Sequence, residues 1–193
     1  INTANEDQKV GVNIVRRAVE EGRFAVLMGI EGGYAIEDSL ALLRAFHAEG
    51  VRYMTLTHTT HTAWADSSGG LYGPIAGAHG GLTDFGREVV REMNRLGMMV
   101  DISHVSPDAM KDALRVTEAP VIFSHSSARG VADHPRNVPD DVLKLTAENG
   151  GVVMVNFFSA FIVPTAQLKL DKESRGSLHD VVDHIDHLVK AAG

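Results

Sequence analysis

Glu31, His104 and His125 are the residues of this chain with metal-binding chemistry in the right combination. Two neutral imidazoles and one carboxylate, with water in the fourth position, make a catalytic zinc set. His58 is a further imidazole of the same kind. The chain has ten His and no Cys, so a transition-metal site here has only imidazole and carboxylate to draw on. The missing Cys also removes disulfides and thiol nucleophiles, and leaves the redox compartment open. What ties these distant residues together is placement. Each lies at or just after the C-terminal end of a segment that reads as a strand, and Asn156 sits in the last of them. Parallel strands bring those ends to one edge, which in a barrel carries the active site.

The elements that would position them alternate regularly. Residues 24–30, 51–57, 98–102, 120–123 and 152–157 are apolar runs read as strands, near-continuous as expected when both faces of a parallel sheet are covered. Between them the apolar positions recur at helical spacing: Ile36, Leu40, Leu43 and Phe46 up to Gly50, then Phe85, Val89, Met93 and Leu96 up to Gly97. Ser106 and Pro107 open a third helix as N-cap and first helical residue. Helices over 139–149 and 178–192 complete the series. Five strands, each followed by a helix, predict a parallel sheet with right-handed crossovers. Residues 59–82, rich in Gly, Ser, Thr and His, read as a long loop of the kind that is functional or disordered.

Other combinations carry less. His184 and His187 stand beside Asp180, Asp183 and Asp186, where the polar outer face of a barrel helix explains them more simply than a metal. His61 and His79 in the long loop fit a solvated or supporting role better than ligation. Ser124, His125 and Asp101 supply the types of a Ser–His–Asp triad, without a nucleophile-elbow sequence around them. Gly29 to Gly33 is too short and wrongly spaced for a dinucleotide fingerprint. Trp64 reads as packing. The net charge of −7 over 193 residues comes without a basic cluster, which argues against nucleic acid as a partner, and no apolar run is long enough for a membrane span. Residues 1–193 read as one domain.

At these residues the chain resembles the membrane (renal) dipeptidase family. The resemblance rests on Gly29-Ile30-Glu31-Gly32-Gly33, Tyr53-Met54-Thr55-Leu56-Thr57-His58, Trp64-Ala65-Asp66 and Leu82-Thr83-Asp84-Phe85-Gly86. It continues through Asp101-Ile102-Ser103-His104-Val105-Ser106, Val121-Ile122-Phe123-Ser124-His125-Ser126-Ser127, Arg136-Asn137-Val138-Pro139-Asp140-Asp141 and Val153-Met154-Val155-Asn156-Phe157, in family order. It implies a (β/α)8 TIM-barrel metallopeptidase with two zinc ions that cleaves dipeptides, often tolerating a C-terminal D-residue. By correspondence, Glu31 bridges both metals, His104 and His125 bind one of them, and His58 contacts the substrate and steadies the tetrahedral intermediate. Arg136 holds the substrate carboxylate, a role for which a planar guanidinium is well shaped.

The departures set further expectations. The family holds its other metal with a His-x-Asp pair on the first strand, and none lies upstream of Glu31. A later Asp that handles protons in the family has no counterpart here. The chain starts without Met, Ile1 to Gln8 lacks a signal-peptide pattern, and the end falls on Ala191-Ala192-Gly193. We therefore expect an internal piece with about strands 3–7 of 8, holding at most one metal and inactive by itself. Its two open sheet edges would leave it poorly stable or self-associating, a homodimer being one such assembly. The alternative activity is that of another metal-dependent amidohydrolase, acting on N-acyl amino acids.

Overall fold

The computed structural model describes residues 15–70, 73–164 and 175–193. Within it five parallel strands lie side by side in chain order: β1 (Met28–Glu31), β2 (Val51–Thr55), β3 (Met99–Asp101), β4 (Ile122–Phe123) and β5 (Val152–Val153). Helices α1 (Leu40–Ala48), α2 (Asp84–Leu96), α3 (Pro107–Val116) and α4 (Asp140–Asn149) return the chain after the first four strands. The short α5 (Ser159–Ile162) and the long α6 (Leu178–Ala192) follow β5. Strictly sequential parallel order is how a (β/α)8 barrel is wound, whereas a doubly wound sheet reverses at a switch point. The fold is α/β, an incomplete barrel of five strands. No helix among the described residues is long and apolar enough to cross a membrane.

Local chemistry explains the helix boundaries. The side chains of Ser39, Thr83 and Ser106 accept the N–H groups of Leu42, Gly86 and Ala109, capping α1, α2 and α3. Gly97 and Gly150 end α2 and α4 in the left-handed conformation (φ 77° and 75°), which glycine adopts without steric cost. Helices α1 to α4 pack successively on one another and on one face of the sheet. Leu43, Val89, Val90, Met93, Met110 and Leu143 meet Met54, Val100, Val121 and Phe123 there, all buried. Truncating one of the larger of these to Ala would cost about 2–5 kcal/mol.

The other face of the strands points into the barrel. Register pairs Glu31 with Thr55 and Thr55 with Asp101, so these three polar residues form one row across β1, β2 and β3. Because strand side chains alternate, Gly29 and Tyr53 lie one layer below. A Cβ on Gly29 would fall 2.0 Å from the Tyr53 ring, so only glycine allows that ring to cross β1. An open cavity of about 290 Å³ is lined by Gly29, Glu31, Tyr53, Thr55, Ser124 and His125.

Some expectations needed correction. The first strand begins at Met28, not Phe24, and Phe24 and Val26 are exposed. Among the described residues β1 is an outer strand, and its one partner there, β2, starts opposite Met28, so residues 24–27 meet no ladder among them. The last strand is two residues long instead of six for the same reason, and Asn156 lies past its end. The helix read from Ile36 is interrupted: a 3₁₀ turn (Gly33–Ile36) is followed by Glu37 and Asp38 with positive φ before α1. The short α5 was not foreseen. Ile1 to Gln8, and Leu71 and Tyr72 of the long loop, lie outside the described residues.

Candidate metal centre

The C-terminal ends of β1, β3 and β4 bring Glu31, His104 and His125 together. Glu31 Oε1 lies 3.1 Å from His104 Nε2 and 3.0 Å from His125 Nε2, and the two Nε2 atoms are 2.8 Å apart. These are the one grouping of three metal-type donors among the described residues. His58 stands at the rim, its Nε2 3.9 Å from Glu31 and its ring 4.4 Å from that of His104.

Each donor is held from behind. His104 has φ 68°, uncommon for a residue with a side chain. Its carbonyl is fastened by the Ser68 N–H at 2.7 Å and the Thr57 hydroxyl at 3.1 Å. The Ser67 hydroxyl sits between the carbonyl oxygens of His58 (2.6 Å) and His104 (3.2 Å), so the long loop braces both residues. That loop is itself tied by buried Asp66, which accepts the N–H groups of Ala78, His79 and Gly81. Those bonds lower the Asp66 pKa against the opposing effect of burial, the largest single influence on it.

Arg136 is 3% exposed, and one Nη2 hydrogen goes to the His125 carbonyl at 3.1 Å. Its guanidinium lies 5.0 Å from the Phe161 ring centroid, and the His134 ring packs on the same Phe. Among the described residues no carboxylate pairs with it, and Nε has no partner. A buried cation without a counter-ion is costly unless an anion is supplied. Burial pulls its pKa down to about 10, opposed by Glu31 and Asp101, so it stays charged near neutrality.

Burial, then the positive charge of Arg136, pushes His104 down to about 2, and lowers His125 in the same way. Both imidazoles are therefore neutral near pH 7 and offer lone pairs. With both Nε2 atoms presenting lone pairs, the two imidazoles and the carboxylate oxygen, about 3 Å apart, would share one cation. The buried His104 Nδ1 has no hydrogen-bond partner. This donor set fits a divalent metal.

The remaining candidates find other places. His61 and His79 bond the carbonyls of Ala76 and Thr62, a supporting role as expected. Trp64 is buried in the core beside Phe85. His187 bonds Asp140 and is partly exposed. His184 corrects the reading of a polar outer face, being fully buried. Its Nδ1 accepts the Ala128 N–H at 2.9 Å, and Nε2 lies 3.2 Å from the Ile162 carbonyl. Val181, His184 and Leu188 share one helical face by spacing, and that signal was available in the sequence. Reading from single residues missed Ser67, Phe161 and His134; no motif marks them, since each acts through a contact distant in sequence.

A sequentially wound parallel sheet with two imidazoles and a carboxylate at its C-terminal edge defines an α/β protein of the barrel class with a candidate metal centre. The family model for membrane dipeptidase, peptidase family M19, matches residues 10–193. The chain belongs to that family. Its structure is similar to that of the probable dipeptidase PvdM from Pseudomonas aeruginosa, at 27% identity and TM-score 0.84, covering 94% of this chain and 58% of that one. It is also similar to an amidohydrolase from Pseudomonas aeruginosa (30%, TM-score 0.78, 94% and 51%). A third similar structure is a metallopeptidase from Rhodobacter sphaeroides bound to a phosphinate mimic of the dipeptide L-Ala-D-Ala (29%, TM-score 0.81, 94% and 50%). The chain thus spans about half the length of these solved relatives.

Proposed function

We propose that residues 1–193 belong to a single barrel domain of a zinc-dependent dipeptidase whose substrates include dipeptides with a C-terminal D-residue. The observation that carries this reading is Arg136: a buried guanidinium, with no counter-ion among the described residues, directly beside the metal donors. A substrate carboxylate supplies the missing anion and limits substrates to those with a free C-terminus close to the scissile bond. The relative bound to a mimic of L-Ala-D-Ala supports the substrate class.

In this reading Glu31, His104 and His125 hold zinc, for which two imidazoles and a carboxylate with an open fourth position are the usual catalytic set. What such an ion supplies when bound is Lewis acidity, which lowers the pKa of water towards neutrality and polarises a carbonyl. Arg136 anchors the carboxylate end of the substrate. The position of His58, half exposed beside His104, supports a role in contacting the substrate and donating a hydrogen bond to the developing oxyanion. Burial keeps His104 and His125 unprotonated as ligands.

The two zinc ions of the family need donors beyond this one grouping. We accordingly propose that these residues alone hold one ion and turn over dipeptides poorly. In this reading β1 and β5, each with one strand neighbour among the described residues and with Met28 and Val152 exposed, make self-association of these residues as a homodimer part of the proposal. The second reading, hydrolysis of N-acyl amino acids, is favoured by the likeness to an amidohydrolase.

The test is hydrolysis of L-Ala-D-Ala and of N-acetyl-D-Ala by the zinc-loaded full-length protein and by its Arg136→Lys variant. Dipeptide turnover that falls about 100-fold in the variant, mainly through KM, is expected from about 3 kcal/mol of lost charge-assisted hydrogen bonding. Turnover of the N-acetyl compound alone would overturn the dipeptidase reading.

A further inference from the structure

Behind His125 lies a chain of hydrogen bonds that the chemistry above does not use. Asp101 is fully buried at the end of β3. Its Oδ1 accepts the backbone N–H groups of Ser103 and Ser124, both at 3.0 Å. Its Oδ2 accepts the Thr55 hydroxyl at 2.6 Å and, in a short contact, the Ser124 hydroxyl. Ser124 Oγ also lies 2.7 Å from His125 Nδ1. A hydroxyl has one proton to give and two lone pairs. With that proton on the carboxylate, Ser124 offers His125 only a lone pair, so Nδ1 carries the hydrogen. His125 Nε2 is then left with its own lone pair, facing Glu31 Oε1 and His104 Nε2.

We infer that Asp101 and Ser124 form a positioning relay that fixes His125 in the Nδ1–H tautomer and aims Nε2 as a ligand for a divalent cation. The inference rests on the metal reading given above. Metal-binding histidines are usually steadied by a carboxylate or carbonyl on the far ring nitrogen; here a serine hydroxyl is inserted between the two. The same direction of bonding argues against a Ser–His–Asp nucleophile. Ser124 has its proton committed to Asp101, and the imidazole that would have to act as base is its donor instead. His104 is steadied differently, through its backbone, since its Nδ1 has no partner among the described residues.

The experiment uses the metal-free full chain with ¹⁵N-labelled histidine, whose ring nitrogen shifts report the tautomer. Cobalt(II) titration in competition with a chelator follows, read by its visible d–d band. The unsubstituted chain is expected to show His125 as the Nδ1–H tautomer and to bind cobalt. Ser124→Ala should give a mixture of tautomers, an altered band and about 10–100-fold weaker binding. Ser124→Thr, which keeps the hydroxyl, should restore all three. Asp101→Asn should weaken binding at least as much. Should that variant fail to fold, Ser124→Ala still decides, because Asp101 keeps its other three donors. An unchanged tautomer and cobalt affinity within twofold in Ser124→Ala would overturn the relay alone. No cobalt binding by the unsubstituted chain would overturn the metal reading and the relay with it.

Discussion

His184→Ala should cost about 3 kcal/mol of folding stability, although no step of the proposed chemistry involves that residue. The imidazole is completely buried on α6 and ties three segments together. It accepts the Ala128 N–H at 2.9 Å and donates to the Ile162 carbonyl at 3.2 Å. Truncation leaves a donor and an acceptor without partners, in surroundings where Ala128 is 0% and Ile162 2% exposed. Each such group costs about 1–3 kcal/mol, and the cavity adds to that while water entering it subtracts. Urea unfolding is the assay. With a slope of about 2 kcal/mol per molar, the midpoint should fall by about 1.5 M.

The parent should also show an acid signature. Burial is the main cause lowering the His184 pKa from 6.5. The folded chain therefore holds it neutral, while the unfolded chain takes up a proton as pH drops through about 6.5. Its contribution is complete above that pH and is lost progressively below it. His104, His125 and His134 are lowered in the same direction, so the share of His184 is the difference in slope between parent and variant. A loss below about 0.5 kcal/mol, typical of an exposed site, or equal acid slopes would refute the reasoning.

Glu31→Gln should abolish tight metal binding, since its Oε1 is the atom that both imidazoles approach; elemental analysis after metal loading and dialysis should find less than about a tenth of the metal that the parent retains. His187→Ala should shift stability by less than about 1 kcal/mol in urea unfolding and leave metal content unchanged. It removes only a partly exposed contact with Asp140. Metal lost in His187→Ala and kept in Glu31→Gln would mean that the site is misplaced.

How much was legible follows from what each feature depends on. The caps at Ser106-Pro107 and Gly97 were readable because they are set by a few adjacent residues. Glu31, His104 and His125 were readable as a set because parallel strands deliver their C-terminal ends to one edge. The extents of β1 and β5 were not, because a strand reaches only as far as its neighbour, and each of these has one among the described residues. His184 was misjudged because its chain neighbours Asp183 and Asp186 are polar, while Val181 and Leu188 on its own face are not.

The sequence by itself determined the order of the elements, the barrel class and the residue types that gather at the strand ends. Periodicity and capping are local, and parallel winding leaves little freedom in where those ends go. Only the tertiary structure decided how the donors are oriented. The Ser124 bridge from Asp101 to His125, the Ser67 brace between the His58 and His104 carbonyls, and the burial of Arg136 over Phe161 all join residues from separate elements. Such contacts depend on packing at ångström scale, which no spacing along the chain encodes.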